Sequence, residues 1–330
     1  YKQDAPGVVQ ITSTSVVNVP QDPFFGNPFA PQTEQQQSLG SGFVIDKAGH
    51  IVTNFHVVRG ATKVYVSFSG QDELAGTVVG VDPSTDIAVL TIQAHASALT
   101  PLELGNSDAV RVGDTVYAIG NPFGYTRTLT SGIVSAVQRR ITAPNTLPID
   151  NAIQTDASIN HGNSGGPLLD AGGRVIGVAS QIYAENSQQG NIGIGFAVPV
   201  NTVRNIAAQI ISTGKVQHAF LGVETEPISG QLAQLYHLPS SGLIIRSVVQ
   251  NGPADHAGLR GGTTNVIVDG ESYRLGGDVI VGVDGAPVSA FEQLRDAIAR
   301  KKPGDKVKLE VIRNGSKKTV TATLGQAPGG

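Results

Sequence analysis

Cysteine, methionine and tryptophan are all absent from this chain of 330 residues. Without cysteine there is no disulfide framework, no thiolate nucleophile, no zinc finger and no iron–sulfur cluster. Charge is scarce as well, at 15% of residues, against about 25% in an average globular protein. The 23 Lys and Arg nearly balance the 26 Asp and Glu, for a net charge of -3. That balance leaves no electrostatic footprint for nucleic acid or an anionic membrane. A run of about 18 apolar residues is also missing, so the expectation is a soluble chain without a signal peptide. It begins at Tyr1 rather than Met, as a trimmed or processed product does. What is plentiful is glycine, 41 residues, which favours turns and short strands over long solvated helices.

From Val8 to Val200 short β-rich runs alternate with Gly, Asn, Asp and Pro. Ser41 to Ile45, His50 to Asn54, Lys63 to Phe68, Thr77 to Val81, Ile87 to Ile92, Asp114 to Ile119, Thr128 to Val137 and Arg174 to Ala179 are examples. This spacing reads as antiparallel barrel or sandwich rather than βαβ units. The runs are too many for one small barrel, so two are expected. Pro20 to Gln37 breaks the pattern with four prolines among Gln and Phe. It reads as a mobile loop over about 20–38, whose Phe24, Phe25 and Phe29 tuck against the body or meet a partner subunit. A helix follows, with Asn201 as its cap, Val203, Ile206, Ala207, Ile210 and Ile211 as its apolar stripe and Gly214 at its end. The domain boundary is placed there: 1–212, a linker 213–218, and a compact module 219–330. In the module Ser289 and Glu292 have capping-box spacing, and Asn314-Gly315 marks a hairpin.

The sharpest motif is Gly162-Asn163-Ser164-Gly165-Gly166-Pro167, which satisfies G-x-S-x-G. Two unrelated serine-hydrolase folds carry that pattern. An α/β-hydrolase elbow needs a helix after the serine and its acid and histidine later in the chain. Here Leu168 to Ala179 reads as strand, Gly-Gly turn, strand, and the candidates lie upstream. His56 follows the apolar run Ile51 to Asn54, and Asp86 opens the run Ile87 to Leu90. Singly, each has an ordinary structural explanation: a packed histidine, a turn-capping aspartate, a loop serine. Jointly, the order His, Asp, Ser and the spacing put His56 and Asp86 on one barrel and Ser164 on the other, with an active-site cleft between.

Thr53-Asn54-Phe55-His56-Val57-Val58, Thr85-Asp86-Ile87-Ala88-Val89-Leu90, Gln154 to Leu168 around Ser164, and Asn191 to Pro199 together resemble the blocks of the high-temperature-requirement (HtrA, or Deg) serine proteases. The resemblance implies a mainly β chain, a chymotrypsin-like double β-barrel followed by a PDZ domain, a small β-barrel with two helices. It also implies an ATP-independent serine endopeptidase that degrades unfolded or misfolded proteins in protein quality control. Ser164 would attack the scissile carbonyl, His56 would carry the proton to the leaving amine, and Asp86 would fix the imidazole tautomer. The loop Gly162, Asn163 and Ser164 would form the oxyanion hole, with the Gly162 and Ser164 amides as donors worth roughly 3 kcal/mol each.

Two positions depart from the wider pattern. Asn163 stands where zymogen-activated relatives of the clan carry an aspartate, so control is expected through ordering of the loops 121–127, 138–150, 158–163 and 180–191, with Arg139 as the resemblance's sensor residue. His161 stands where the family more often has proline, which would leave the 161–162 peptide freer to flip and activity more dependent on substrate or effector. For specificity, Ser158 occupies the place of the acid in trypsin-type enzymes. Ile159 and Ile182 look like the residues lining S1, so small aliphatic P1 residues are expected.

In the second module, Phe220-Leu221-Gly222-Val223 resembles the carboxylate-binding loop of a PDZ domain, where a C-terminal or hydrophobic peptide would add as a strand against the helix from Ser289 to Arg300. Residues 263–275 are longer than the usual direct step and suggest an inserted hairpin. The resemblance further implies a homotrimer or larger homo-oligomer and an extracytoplasmic location, periplasm or cell envelope, after removal of a signal or membrane anchor. No cofactor and no nucleic-acid partner is expected. The 7 histidines show no paired ligand spacing, so no metal is expected either. The competing classes are a chaperone or scaffold whose triad is held off and, more distantly, an esterase on the hydrolase fold.

Overall fold

The computed structural model describes residues 1–18, 33–68, 73–120, 128–142, 148–160, 162–180 and 193–327. Phe24, Phe25, Phe29, His161 and Ile182 lie outside them. The chain divides into two compact units, Tyr1–Val216 and Gln217–Gly330.

Among the described residues the first unit holds twelve strands: β1 (Val8–Asn18), β2 (Thr33–Val44), β3 (His50–Asn54), β4 (Ala61–Ser67), β5 (Leu74–Asp82), β6 (Ile87–Ile92), β7 (Thr115–Gly120), β8 (Thr128–Thr142), β9 (Pro148–Thr155), β10 (Pro167–Asp170), β11 (Val175–Ser180) and β12 (Gly195–Pro199). They close into two barrels, β1-β2-β3-β6-β5-β4 and β10-β11-β12-β9-β8-β7. A short helix α1 (Phe55–Val58) follows β3, and α2 (Val200–Thr213) follows β12. The expected loop over 20–38 is corrected at its end. Residues 33–38 belong to β2, paired with β1 out to Asn18↔Thr33. Two consecutive antiparallel strands can extend a hairpin beyond the barrel wall, and the stretch 33–38 contains no proline to interrupt the ladder.

The near-continuous apolar runs have a physical reason: the core strands are buried on both faces. In β6, Ala88, Leu90 and Ile92 fill the interior of the first barrel. The alternate residues Ile87 and Val89 point the other way, into a seam shared with Ile119, Val178 and Val198 of the second barrel and with Val203, Ile206 and Ile210 of α2. β11 is likewise buried on both faces, but a register shift opposite Leu168 and Leu169 breaks its alternation: Ile176 and Ala179 lie inside the second barrel and Val175 and Val178 in the seam. Each such Val, Leu or Ile side chain contributes about 1.5–3 kcal/mol on burial. With both strand faces occupied, few positions remain for charge.

Helix α2 ends as expected, with Gly214 left-handed at φ 76 and its amide bonded to the Ile210 carbonyl. Its start is corrected. The N-cap is Pro199, and Asn201 lies inside the first turn, where its Nδ2 donates to Asn106 Oδ1 at 2.8 Å. Val216, in the stretch read as linker, is buried in the seam.

In the second unit β13 (Ala219–Phe220) pairs with β22 (Gly325–Gln326). A sheet runs β14 (Val223–Pro227), β15 (Leu243–Val248), β18 (Val279–Val283), β20 (Lys306–Arg313), β21 (Ser316–Thr323), with β19 (Ala286–Pro287) paired to β18. The helices are α3 (Gly230–Tyr236), α4 (Pro253–His256) and α5 (Phe291–Ala299). Asn314 and Gly315, both at positive φ, turn the β20–β21 hairpin. Residues 264–275 form the inserted hairpin β16 (Thr264–Val268) and β17 (Glu271–Leu275). Its Val268 and Leu275 pack with Leu232 of α3 and Ile244 of β15 in a satellite core. The capping box is corrected: Gln293, not Glu292, reaches back, its Oε1 accepting from the amides of Ser289 and Ala290. The helix starts one residue later than the spacing suggested, which moves the capping position by one.

Candidate active site

The ladder between β3 and β6 ends with Asn54 opposite Ile87. At that end the chain leaves β3 into α1, which carries His56, and enters β6 through Asp86. The turn before Asp86 is organised by Asp82. Its carboxylate accepts from the Ser84 hydroxyl at 2.7 Å and the Thr85 hydroxyl at 2.6 Å. Asp86 is 1% exposed and sits at φ 57, in the left-handed region. Its carboxylate faces three partners. The His56 amide donates to Oδ1 at 3.0 Å, His56 Nδ1 lies 2.8 Å from Oδ2, and the Ser180 hydroxyl donates to Oδ2 at 3.0 Å. Ser180 ends β11, so both barrels hold this one carboxylate. A carboxylate at Nδ1 fixes the tautomer that leaves Nε2 as the basic nitrogen.

The segment carrying Ser164 is fixed peptide by peptide. The Gly162 carbonyl accepts from the Ser41 hydroxyl at 2.5 Å, and the Asn163 amide donates to the Asn160 carbonyl at 3.0 Å. The Asn163 carbonyl takes the Gly166 amide, the Ser164 carbonyl takes the Ser41 amide, and the Gly165 amide reaches the Ala179 carbonyl. Glycine at 165 is required twice over: φ is 86, and a Cβ there would stand 2.2 Å from the Ser41 carbonyl oxygen and 2.3 Å from Thr53 Oγ1. That close approach seats the Ser164 loop against Thr53 and Asn54, just before His56. The Asn163 amide is engaged by the Asn160 carbonyl, so of the three residues read as the oxyanion loop Asn163 has its donor already committed.

Ile159 is 4% exposed and packs in the core of the second barrel with Ala157, Val134 and Ile153. A Cβ on Gly195 would come within 2.7 Å of its side chain. Ser158 is exposed. Arg139 is exposed on β8 opposite Ala152, where the register shifts on both sides of it. Of the loops it is expected to link, 121–127 and all of 180–191 except Ser180 are outside the described residues.

In the second unit Gly222 is left-handed at φ 82. The Leu221 carbonyl accepts the Ala254 amide at 2.8 Å and the Gly222 carbonyl the Val249 amide at 2.9 Å. In a trans peptide the amide opposes the carbonyl, so the Gly222 and Val223 amides turn away from these partners. β14 begins at Val223 and is an edge strand, with α5 packed against β13 and β14.

Three contributors escaped the sequence reading: Ser41, Asn54 and Ser180. Each is a small polar residue, at most 1% exposed: Asn54 and Ser180 end the apolar runs of β3 and β11, and Ser41 lies near the end of β2. A polar side chain in such a run was the available signal. Among the described residues no group of three or more His, Asp and Glu is placed to hold a metal ion. No helix among them is long and apolar enough to cross a membrane.

Comparison with known proteins adds to this geometry. A trypsin-like peptidase domain matches residues 40–178 and a PDZ domain matches 219–324. Protease Do-like 1, chloroplastic, of Arabidopsis thaliana is 40% identical over 329 residues, 99% of this chain and 71% of that protein. A probable periplasmic serine endoprotease DegP-like of Pseudomonas fulva (strain 12-X) is 38% identical over 312 residues, 94% of this chain and 60% of that protein. The chain thus spans 71% and 60% of the length of these two curated relatives. Among solved structures, a serine-to-alanine form of the HtrA-type protease AlgW with a decapeptide superposes at a TM-score of 0.85, with 36% identity over 99% of this chain and 96% of that one.

Proposed function

This chain belongs to the HtrA/DegP-like family of serine endoproteases, and on that premise we propose that it is an ATP-independent endopeptidase of unfolded or misfolded proteins, acting through His56, Asp86 and Ser164. The observation that carries this reading is the buried Asp86 carboxylate, bonded to His56 Nδ1 at 2.8 Å, beside a serine loop whose peptides are individually fixed. Ser164 Oγ attacks the scissile carbonyl as His56 Nε2 takes its proton. The Gly162 and Ser164 amides receive the oxyanion, and His56 returns the proton to the leaving amine. Water then repeats the sequence to release the acyl group. Ile159, with Ile182, lines a small apolar S1 pocket selecting aliphatic P1 residues such as Val, Ala or Ile. Such residues are buried in folded proteins, which directs cleavage to unfolded ones.

The second unit takes peptide C-termini or hydrophobic segments, with the carboxylate on Phe220 to Val223 and the peptide added along β14. Assembly as a homotrimer or larger, Arg139 as a relay between loops, quality control under stress and an extracytoplasmic site of action complete the proposal. Unfolded casein tests it without ATP. The wild type should yield peptides ending in small aliphatic residues, and Ser164→Ala should yield none. Undigested casein with wild-type protein, while its aggregation is still suppressed, would favour a chaperone instead.

A further inference from the structure

Asp86 must present two different acceptors to the same short segment. Its carboxylate bonds the His56 amide and Nδ1, while its backbone carbonyl accepts the Phe55 amide at 2.9 Å and Asn54 Nδ2 at 3.0 Å. Both acceptors bear on residues 54–56 with the Asp86 backbone left-handed, at φ 57. For a residue with a Cβ that region is uncommon, and it persists where surrounding contacts over-determine it. Among the described residues, Asn54 supplies the side-chain contact that addresses the backbone of Asp86. Asn54 is fully buried, at 0% exposure, and among the described residues its Oδ1 has no hydrogen-bond partner. Turning the amide over would set Oδ1 against the Asp86 carbonyl, two acceptors facing, so the donor orientation is dictated. A fully buried amide with an unsatisfied oxygen is a poor choice for stability, since the orphaned acceptor carries a desolvation penalty. The residue earns its place through the donor.

We propose that Asn54 is a positioning residue for the reaction: its side-chain amide locks the left-handed backbone of Asp86, and so aims the carboxylate at His56 Nδ1. The inference rests on the peptidase reading above. Its effect passes through Asp86 and His56, so it should appear in turnover and not in substrate affinity. Asn54→Leu keeps the volume and removes both amide atoms. Its kcat on a short peptide substrate should fall roughly 10²-fold, the scale of a misplacement of about 1 Å in a catalytic group, with KM unchanged. Because the orphaned oxygen leaves with the donor, thermal unfolding should move little. The downfield proton resonance of the His56–Asp86 bond should weaken or vanish. Asn54→Ala should repeat the pattern with an added cavity cost in stability.

Wild type is measured first, by fluorophosphonate labelling. No label on Ser164 in folded wild type overturns the peptidase reading and this inference with it. A labelled wild type with undiminished kcat and an unchanged proton resonance in either variant overturns the Asn54 inference alone. Should neither variant fold, a crystal structure of the wild type decides: Asp86 at negative φ, or the Asn54 amide turned from its carbonyl, contradicts the inference, and both features in place support it.

Discussion

Two aspartates, one in each unit, are buried to the same degree and met by opposite kinds of partner. Asp86 is 1% exposed and Asp278 0%. Asp278 meets a permanent cation. Arg313 Nε reaches its Oδ1 at 2.6 Å and a second guanidinium nitrogen its Oδ2 at 2.7 Å, while the Arg260 amide donates to Oδ2 at 3.0 Å. The hydrogen bond to Asp278 pushes the Arg313 pKa up, against the effect of burial. Asp86 is met by a backbone amide, a hydroxyl and an imidazole. None of those carries a fixed charge, and one can take up a proton. A carboxylate neutralised once and for all staples a fold; a carboxylate left to meet a charge that comes and goes fits the catalytic role proposed for Asp86.

The contrast can be broken from either side. The largest effect is expected at Asp86. Asp86→Asn keeps the shape but allows the wrong imidazole tautomer, and kcat should fall about 10⁴-fold with little change in the unfolding temperature. Peptide kinetics beside calorimetry would show it. Arg313→Met should do the reverse. Leaving Asp278 buried and unpaired should cost about 3–5 kcal/mol of stability in the second unit, while Ser164 still reacts with a fluorophosphonate. Adding Asp278→Leu should recover most of that loss in denaturant titrations, since an apolar pair can replace a buried ion pair.

Ser180→Ala sharpens the comparison by removing one neutral donor from Asp86. A buried bond to a charged group contributes about 1.5–3 kcal/mol, so kcat should fall about 10- to 100-fold, measured on the same peptide. The smallest effect belongs to an exposed pair. The side-chain hydrogen bond from Lys301, then the Lys308 amide, holds the Asp284 carboxyl below its ordinary pKa. A depressed carboxylate adds stability above its unfolded-state pKa and loses it as pH falls through the folded value. Asp284 is 39% exposed in that pair, so screening keeps the contribution under about 1 kcal/mol. Asp284→Asn should flatten the acid side of the stability profile by no more than that.

The barrels were legible because short apolar runs between turn residues have few other solutions, and the family blocks marked His56, Asp86 and Ser164. The inserted hairpin at 264–275 was legible from length alone. What the sequence concealed was local. Asn201 and Glu292 sit in plausible capping positions, yet α2 starts two residues before, and α5 one residue after, where those caps would place them. Residues 33–38 look like loop by composition, but pairing with β1 makes them strand. Ser41, Asn54 and Ser180 have no motif of their own. Their roles come from the meeting of strand ends that are far apart in sequence, which no local pattern encodes.

The central claim is that Ser164 is a nucleophile activated through His56 by Asp86. A fluorophosphonate probe followed by peptide mapping tests it most directly. Labelling confined to Ser164 in the wild type, and strongly slowed in Asp86→Asn with the fold intact, is the expected result. A folded wild type that stays unlabelled, or one labelled at a different residue, would contradict it.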